Sequence, residues 1–250
     1  KKNTEQLIVV VSAFGGITNL LIETAEQASQ SNSNYKKNLK TIEDIHLNQI
    51  SFFISLKQQS GVISFLKSKI NELEDFLESL YTLNELTQKS LSKISSFGEI
   101  LSSTIIYNVL KDSKFDVDLE DSRDILFTHR ANGREVINNK KSAKKASLLL
   151  KNKNSKIIIL PGFIAQDEGG STTTLGRGGS DYTASLLANY LDASVLEIWT
   201  DVSGVYTANP KLVNQAQPIS NLSFQEAMEL SHFGAKVIYP PTLQPLIEKN

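Results

Sequence analysis

The chain has 250 residues, 40% of them hydrophobic and 21% charged, with a formal net charge of -1, no cysteine and one methionine, Met228. Such proportions describe one large globular domain or two small ones, and a charge near zero argues against bulk affinity for nucleic acid or membrane. The missing cysteines exclude disulfides, thiolate metal sites and thiol nucleophiles together, and fit a cytoplasmic protein. No apolar run approaches the ~18 residues of a membrane span, and no signal peptide is visible. A chain that opens at Lys1 with its only methionine at Met228 is expected to be a fragment or a processed product.

Leu7 to Val11 is a continuous apolar, β-branched run, the pattern of a buried parallel strand. Ser12-Ala13-Phe14-Gly15-Gly16 breaks it, and Ile17, Leu20, Leu21, Thr24, Ala25 and Ala28 then line one helix face. The loop lies at the carboxyl end of a strand, where open α/β sheets bind ligands, and Ser12 and Thr18 are its polar groups. From Tyr35 to about Lys93 apolar residues recur at helical spacing, which predicts a helical insertion over 35–95 covering one end of the sheet. Its acids Glu72, Glu74, Asp75 and Glu78 read as a solvated face, and His46 as a surface or packing residue. Ile94-Ser95-Ser96-Phe97-Gly98 predicts a small turn before a helix through Leu110. Glu99, in that helix's first turn, either complements the helix dipole or contacts a ligand amine.

Phe115 to Leu119 alternates as a strand does, and 121–138 reads as an irregular excursion holding His129, Arg130 and Arg134. Ala143 to Leu150 is an amphipathic helix, and Lys156 to Leu160 a second buried strand ending at Pro161-Gly162-Phe163. After the turn Asp167-Glu168-Gly169-Gly170 comes Thr172-Thr173-Thr174-Leu175-Gly176-Arg177-Gly178-Gly179-Ser180-Asp181, running straight into a helix. Glycines bring a backbone close to an anion, helix N–H groups face it, and Arg177 adds a planar bidentate donor. The stretch is not a P-loop, because no Lys-Ser/Thr follows the glycines, and not a Rossmann fingerprint, because Asp181 replaces the third glycine. Ser194 to Trp199 predicts a third strand, ending in the polar loop Thr200 to Tyr206. Ser223-Phe224-Gln225-Glu226 is a capping box, Phe233 to Lys236 a helix-ending turn, and a last helix follows Pro240-Pro241. Strands alternating with helices specify a three-layer αβα sandwich with a mainly parallel sheet.

Five stretches in register resemble aspartokinase: Val11-Ser12-Ala13 with Gly16-Ile17-Thr18-Asn19; Phe97-Gly98-Glu99; Thr173 to Ala184; Ile198 to Thr207; and Gln225 to Leu230 with Phe233 to Val237. The wording around Glu197-Ile198-Trp199 and Glu229 to Phe233 is most similar to bifunctional aspartokinase–homoserine dehydrogenases. The resemblance implies the amino-acid-kinase fold over 1–250, with 156–250 mainly the nucleotide-binding half. It implies ATP- and Mg²⁺-dependent phosphorylation of the L-aspartate side chain and a homo-oligomeric full-length protein. By the same resemblance Arg177 grips the substrate α-carboxylate and Glu99 its α-amino group. Ser12, Ala13, Thr18, Gly178, Gly179 and Ser180 line that pocket, and Asp181 organises the catalytic centre. Thr200, Asp201, Tyr206, Lys211 and Lys236 hold the nucleotide, with Lys211 and Lys236 near its phosphates; no resident metal site is implied. The family's first-strand Lys-Phe-Gly-Gly has no counterpart within these 250 residues, its ACT-type regulatory domains are expected to lie outside them, and Asn209-Pro210-Lys211 stands where many members have Asp-Pro-Arg. Two other readings share the pattern, an acetylglutamate or glutamate kinase and a non-catalytic regulatory subunit of the same fold.

Overall fold

The computed structural model describes residues 6–247, apart from 132, 152, 235 and 236. In chain order the elements are β1 (Leu7–Val11), α1 (Ile17–Ser29), α2 (Tyr35–Phe53), α3 (Leu56–Leu83), α4 (Gln88–Asp112) and β2 (Val117–Leu119). A 3₁₀ turn (Ser122–Asp124) leads to β3 (Thr128–Ala131), β4 (Arg134–Ile137), α5 (Asn139–Leu150), β5 (Ile157–Pro161), β6 (Ile164–Gln166) and β7 (Thr172–Thr174). Then come α6 (Gly179–Leu191), α7 (Phe224–His232) and α8 (Pro240–Ile247).

The central sheet has the order β1-β5-β2, all parallel, with Val9 opposite Ile159 and Leu119 opposite the same residue from the other side. Both faces are covered, which is why β1 and β5 read as unbroken apolar runs. Ile158 and Leu160, with Ile8 and Val10, pack against α5 and α6 through Ala146, Leu186 and Leu187. Ile157 and Ile159, with Val9 and Val11, face the other way onto Ile106, Tyr107 and Leu110 of α4. The period-2 alternation of β5 thus builds helix, sheet and helix layers, as the sequence predicts.

A third core joins α1 to the long helices α2, α3 and α4, around Ile17, Leu21, Tyr35, Ile42, Leu66, Leu73, Leu77 and Phe97. His46 belongs to it. Its Nδ1 lies 2.6 Å from the Ile42 carbonyl oxygen, its ring is 5.2 Å from that of Phe14, and burial pushes its pKa down, so it is a neutral packing residue. Glu72 lies between Lys69 at 2.7 Å and Lys93 at 2.9 Å, so this member of the acidic face is paired with lysines.

Three local expectations change. The turn at Ser95 to Gly98 is instead the middle of α4, a single helix of 25 residues. Leu91, Ile94, Phe97 and Leu101 keep one helical stripe across it, and burial of that stripe outweighs the low helix propensity of Ser and Gly. The excursion at 121–138 contains the antiparallel pair β3 and β4, with His129 opposite Val136 and Arg130 opposite Glu135. Ser194 to Trp199 forms no strand: Val195 is 69% and Trp199 89% exposed, and no described strand pairs with this stretch. β-Propensity reports fitness for a half-buried pleated surface, and here the surface is missing. The capping box at Ser223 and Glu226 forms as expected.

Among the described residues no helix is long and apolar enough to cross a membrane.

Candidate active site

β1 and β5 end side by side, Val11 opposite Pro161, so the loops that follow them open at one edge of the sheet. The chain after β5 folds back as the antiparallel β6–β7 pair, and Leu175 N–H donates to the Phe163 carbonyl at 2.8 Å. The glycine loop is thereby returned to the edge it left. Between it, the Ser12 to Thr18 loop and one face of α4 lies a cavity of about 590 Å³.

Two helices begin on this cavity, and both are capped by a glycine in the left-handed region: Gly16 at φ 82° for α1 and Gly178 at φ 65° for α6. Among the described residues the first-turn amides of Thr18, Asn19, Ser180 and Asp181 make no backbone hydrogen bond, and all four residues line the cavity. Two positive helix ends therefore face one space. Gly178 is also required by contact, since a Cβ there would lie 2.6 Å from Cβ of Tyr239.

Glu99 comes from the middle of α4 and is 3% exposed. Its neighbour Gly98 has no Cβ to separate the helix from the loop; one built there would meet Cβ of Ala13 at 2.8 Å. The Ala13 amide acts on the Glu99 carboxyl, and Oε2 of that carboxyl is buried with no hydrogen-bond partner among the described residues. Burial pushes the Glu99 carboxyl up to about 7, against the downward pull of the Ala13 amide and its own amide.

Arg177 projects from the glycine loop, exposed, and makes no hydrogen bond or ion pair within the described residues. Asp181 lies half-buried in the first turn of α6, where burial raises its carboxyl above the usual range. A buried carboxylate lacking a cation and a guanidinium lacking an anion border the same space. The arrangement suits a ligand that carries both an ammonium and a carboxylate.

The cavity thus gathers Ser12, Ala13, Thr18, Glu99, Arg177, Gly178, Gly179, Ser180 and Asp181, all expected from the sequence. Thr200, Asp201, Tyr206 and Lys211 do not line it. Thr200 and Asp201 are exposed and hydrogen-bond each other at 3.2 Å, Tyr206 forms an isolated bridge with Pro218, and Lys211 is exposed. Lys236 lies outside the described residues. The sequence reading missed Gln88, Ser92 and Ser95, which line the cavity with Glu99. Their spacing of four, three and four is a polar helix stripe, visible once α4 is read as continuous.

The profile of the Amino acid kinase family matches residues 1–250. The chain belongs to that family. Within it, the chain is 36% identical over 249 residues to "Lysine-sensitive aspartokinase 3" of Escherichia coli, covering 97% of this chain and 53% of that protein. It is 34% identical over 248 residues to "Bifunctional aspartokinase/homoserine dehydrogenase" of Buchnera aphidicola, covering 98% of this chain and 30% of the relative. Among solved structures, E. coli aspartokinase III in complex with aspartate and ADP superposes with a TM-score of 0.89 at 33% identity, over 98% of this chain and 53% of that one. The same protein with lysine and aspartate gives 0.84. This member of the amino acid kinase family therefore spans about half of the aspartokinase and under a third of the bifunctional relative.

Proposed function

We propose that this chain is the catalytic part of an aspartokinase, transferring the γ-phosphoryl group of ATP to the side-chain carboxylate of L-aspartate. The product is 4-phospho-L-aspartate, the first intermediate of lysine, threonine and methionine biosynthesis. The observation that carries the reading is the cavity in which buried, half-satisfied Glu99 and unpaired Arg177 face one space. The relatives support it: E. coli aspartokinase III is a structure with aspartate and ADP bound.

Arg177 takes the α-carboxylate as a fork and Glu99 the α-ammonium, which fixes the amino acid at both charged ends. An aspartate side chain has a pKa near ~4, so at neutral pH it is already a nucleophile and needs no general base. Its oxygen bonds to the γ-phosphorus while the bond to the β,γ-bridging oxygen breaks, and ADP leaves. The obstacle is repulsion between two anions, and the two helix N-termini at the cavity oppose it. Ser180 lines the junction, and Asp181 organises the point where the substrates meet. Thr200, Asp201, Tyr206, Lys211 and Lys236 hold the nucleotide in this reading, within a nucleotide-binding half over 156–250. In this reading Mg²⁺ would arrive on the phosphates of ATP, where it would neutralise charge. The full-length protein is a cytoplasmic homo-oligomer in the same reading.

An aspartate-dependent hydroxamate assay on the full-length protein tests the proposal. Acyl phosphate formed from aspartate, with little from glutamate and none from N-acetylglutamate, is the expected result. A folded protein that turns over only glutamate or N-acetylglutamate contradicts it. One that binds no nucleotide speaks for a regulatory subunit.

A further inference from the structure

A single peptide plane, the one joining Ser12 to Ala13, is held at both ends by α4. Its carbonyl accepts from the Ser102 hydroxyl at 2.7 Å. Its N–H acts on the carboxyl of Glu99, drawing its proton affinity down against burial. Glu99 and Ser102 stand three residues apart, on one face of the helix, and Gly98 gives that face its close approach to Ala13. Ser102 is fully buried and does not line the cavity; its hydroxyl also lies 3.2 Å from the Glu99 carbonyl.

We propose that Ser102 is a positioning residue for substrate binding: by fixing the Ser12 carbonyl it turns the Ala13 N–H onto Glu99 and leaves Glu99 Oε2 for the substrate ammonium. A trans peptide points its C=O and N–H in opposite directions, so one anchor orients the other. With the carbonyl free, the plane rotates, the carboxylate loses a donor, and the loop bearing Ser12 shifts with it. Only its own amide then opposes burial at Glu99, whose proton is held to higher pH. Besides Glu99, the charged side chains lining this cavity among the described residues are Arg177 and Asp181.

The inference rests on the aspartokinase reading, and calorimetric titration of the full-length protein with L-aspartate between pH 5.5 and 8.5 separates the two. If the wild type binds no aspartate, that reading fails. If it binds, Ser102→Ala should raise the aspartate Kd about three- to tenfold, the worth of one buried hydrogen bond. The acidic fall-off in affinity should move to higher pH, the ATP KM and kcat should stay near wild type, and Ser102→Thr should restore binding. Ser102→Cys, which keeps the volume and weakens the donor, covers the case in which the alanine variant does not fold; it should give a smaller shift of the same sign. An unmoved aspartate Kd and pH profile in either folded variant, with only melting temperature lowered, overturns the proposal.

Discussion

The helix starts of α1 and α6 use one backbone device and carry opposite chemical loads. Each follows a strand, turns on a left-handed glycine and aims free amides at the same cavity. The α1 start has no charged side chain of its own, only Ser12, Thr18 and Asn19, and its charge is borrowed from α4, where Glu99 is held by the Ala13 amide. The α6 start brings Arg177 and Asp181 on its own loop. The backbone supplies a general anion-favouring field, and the side chains decide which end of a ligand goes where. The borrowed charge, Glu99, is buried, whereas of the owned ones Arg177 reaches out into solvent and Asp181 is half-buried.

The sharpest way to break the symmetry is through the two glycines. Gly178→Ala combines a left-handed φ with a Cβ contact on Tyr239, and should cost roughly 2–4 kcal/mol in chemical denaturation. Gly16→Ala has the same backbone strain but nothing within 4 Å of the added Cβ, so about 1 kcal/mol is expected. Equal losses would show that contact plays no part at α6.

The buried Glu99 carboxyl predicts a pH effect on stability. Folded Glu99 keeps its proton up to about 7, while the unfolded chain releases it near 4.5. Between those values the folded state holds more protons, so this group's contribution to stability falls as pH rises, by on the order of 3 kcal/mol across the window. Glu99→Gln should flatten that part of the stability profile, and a profile unchanged by the substitution would place the carboxyl outside its buried setting. Next in size is Arg177→Lys, which keeps the charge and loses the fork: aspartate binding should weaken by roughly 1–3 kcal/mol with folding stability unchanged. An unaltered aspartate KM would remove Arg177 from its role.

Much of this was legible in the residues. β1 and β5 announced themselves because both faces are buried, and the α6 loop because Gly176, Gly178 and Gly179 surround an arginine. Glu99 was legible as a candidate but not in its setting, since Ser95, Ser96 and Gly98 locally resemble a turn and only tertiary burial makes them helix. β3 and β4 were hidden because Arg130, Arg134 and Glu135 interrupt any apolar alternation, although the dipeptide Asn132-Gly133 between them is a hairpin-turn signal in the sequence. Val195 to Trp199 erred in the other direction: its side chains favour a strand, but a strand needs a paired neighbour, which no local pattern encodes. Ser102 was invisible for a related reason, its partner being a backbone carbonyl 90 residues earlier.

The most direct test of a cavity that grips both ends of an amino acid is a binding comparison between L-aspartate and N-acetyl-L-aspartate, by calorimetry at pH 8, where Glu99 is ionised. Acetylation removes the ammonium and leaves a buried carboxylate unpaired, so the acetylated ligand should bind roughly 10- to 100-fold more weakly. Equal affinity for the two would contradict the account.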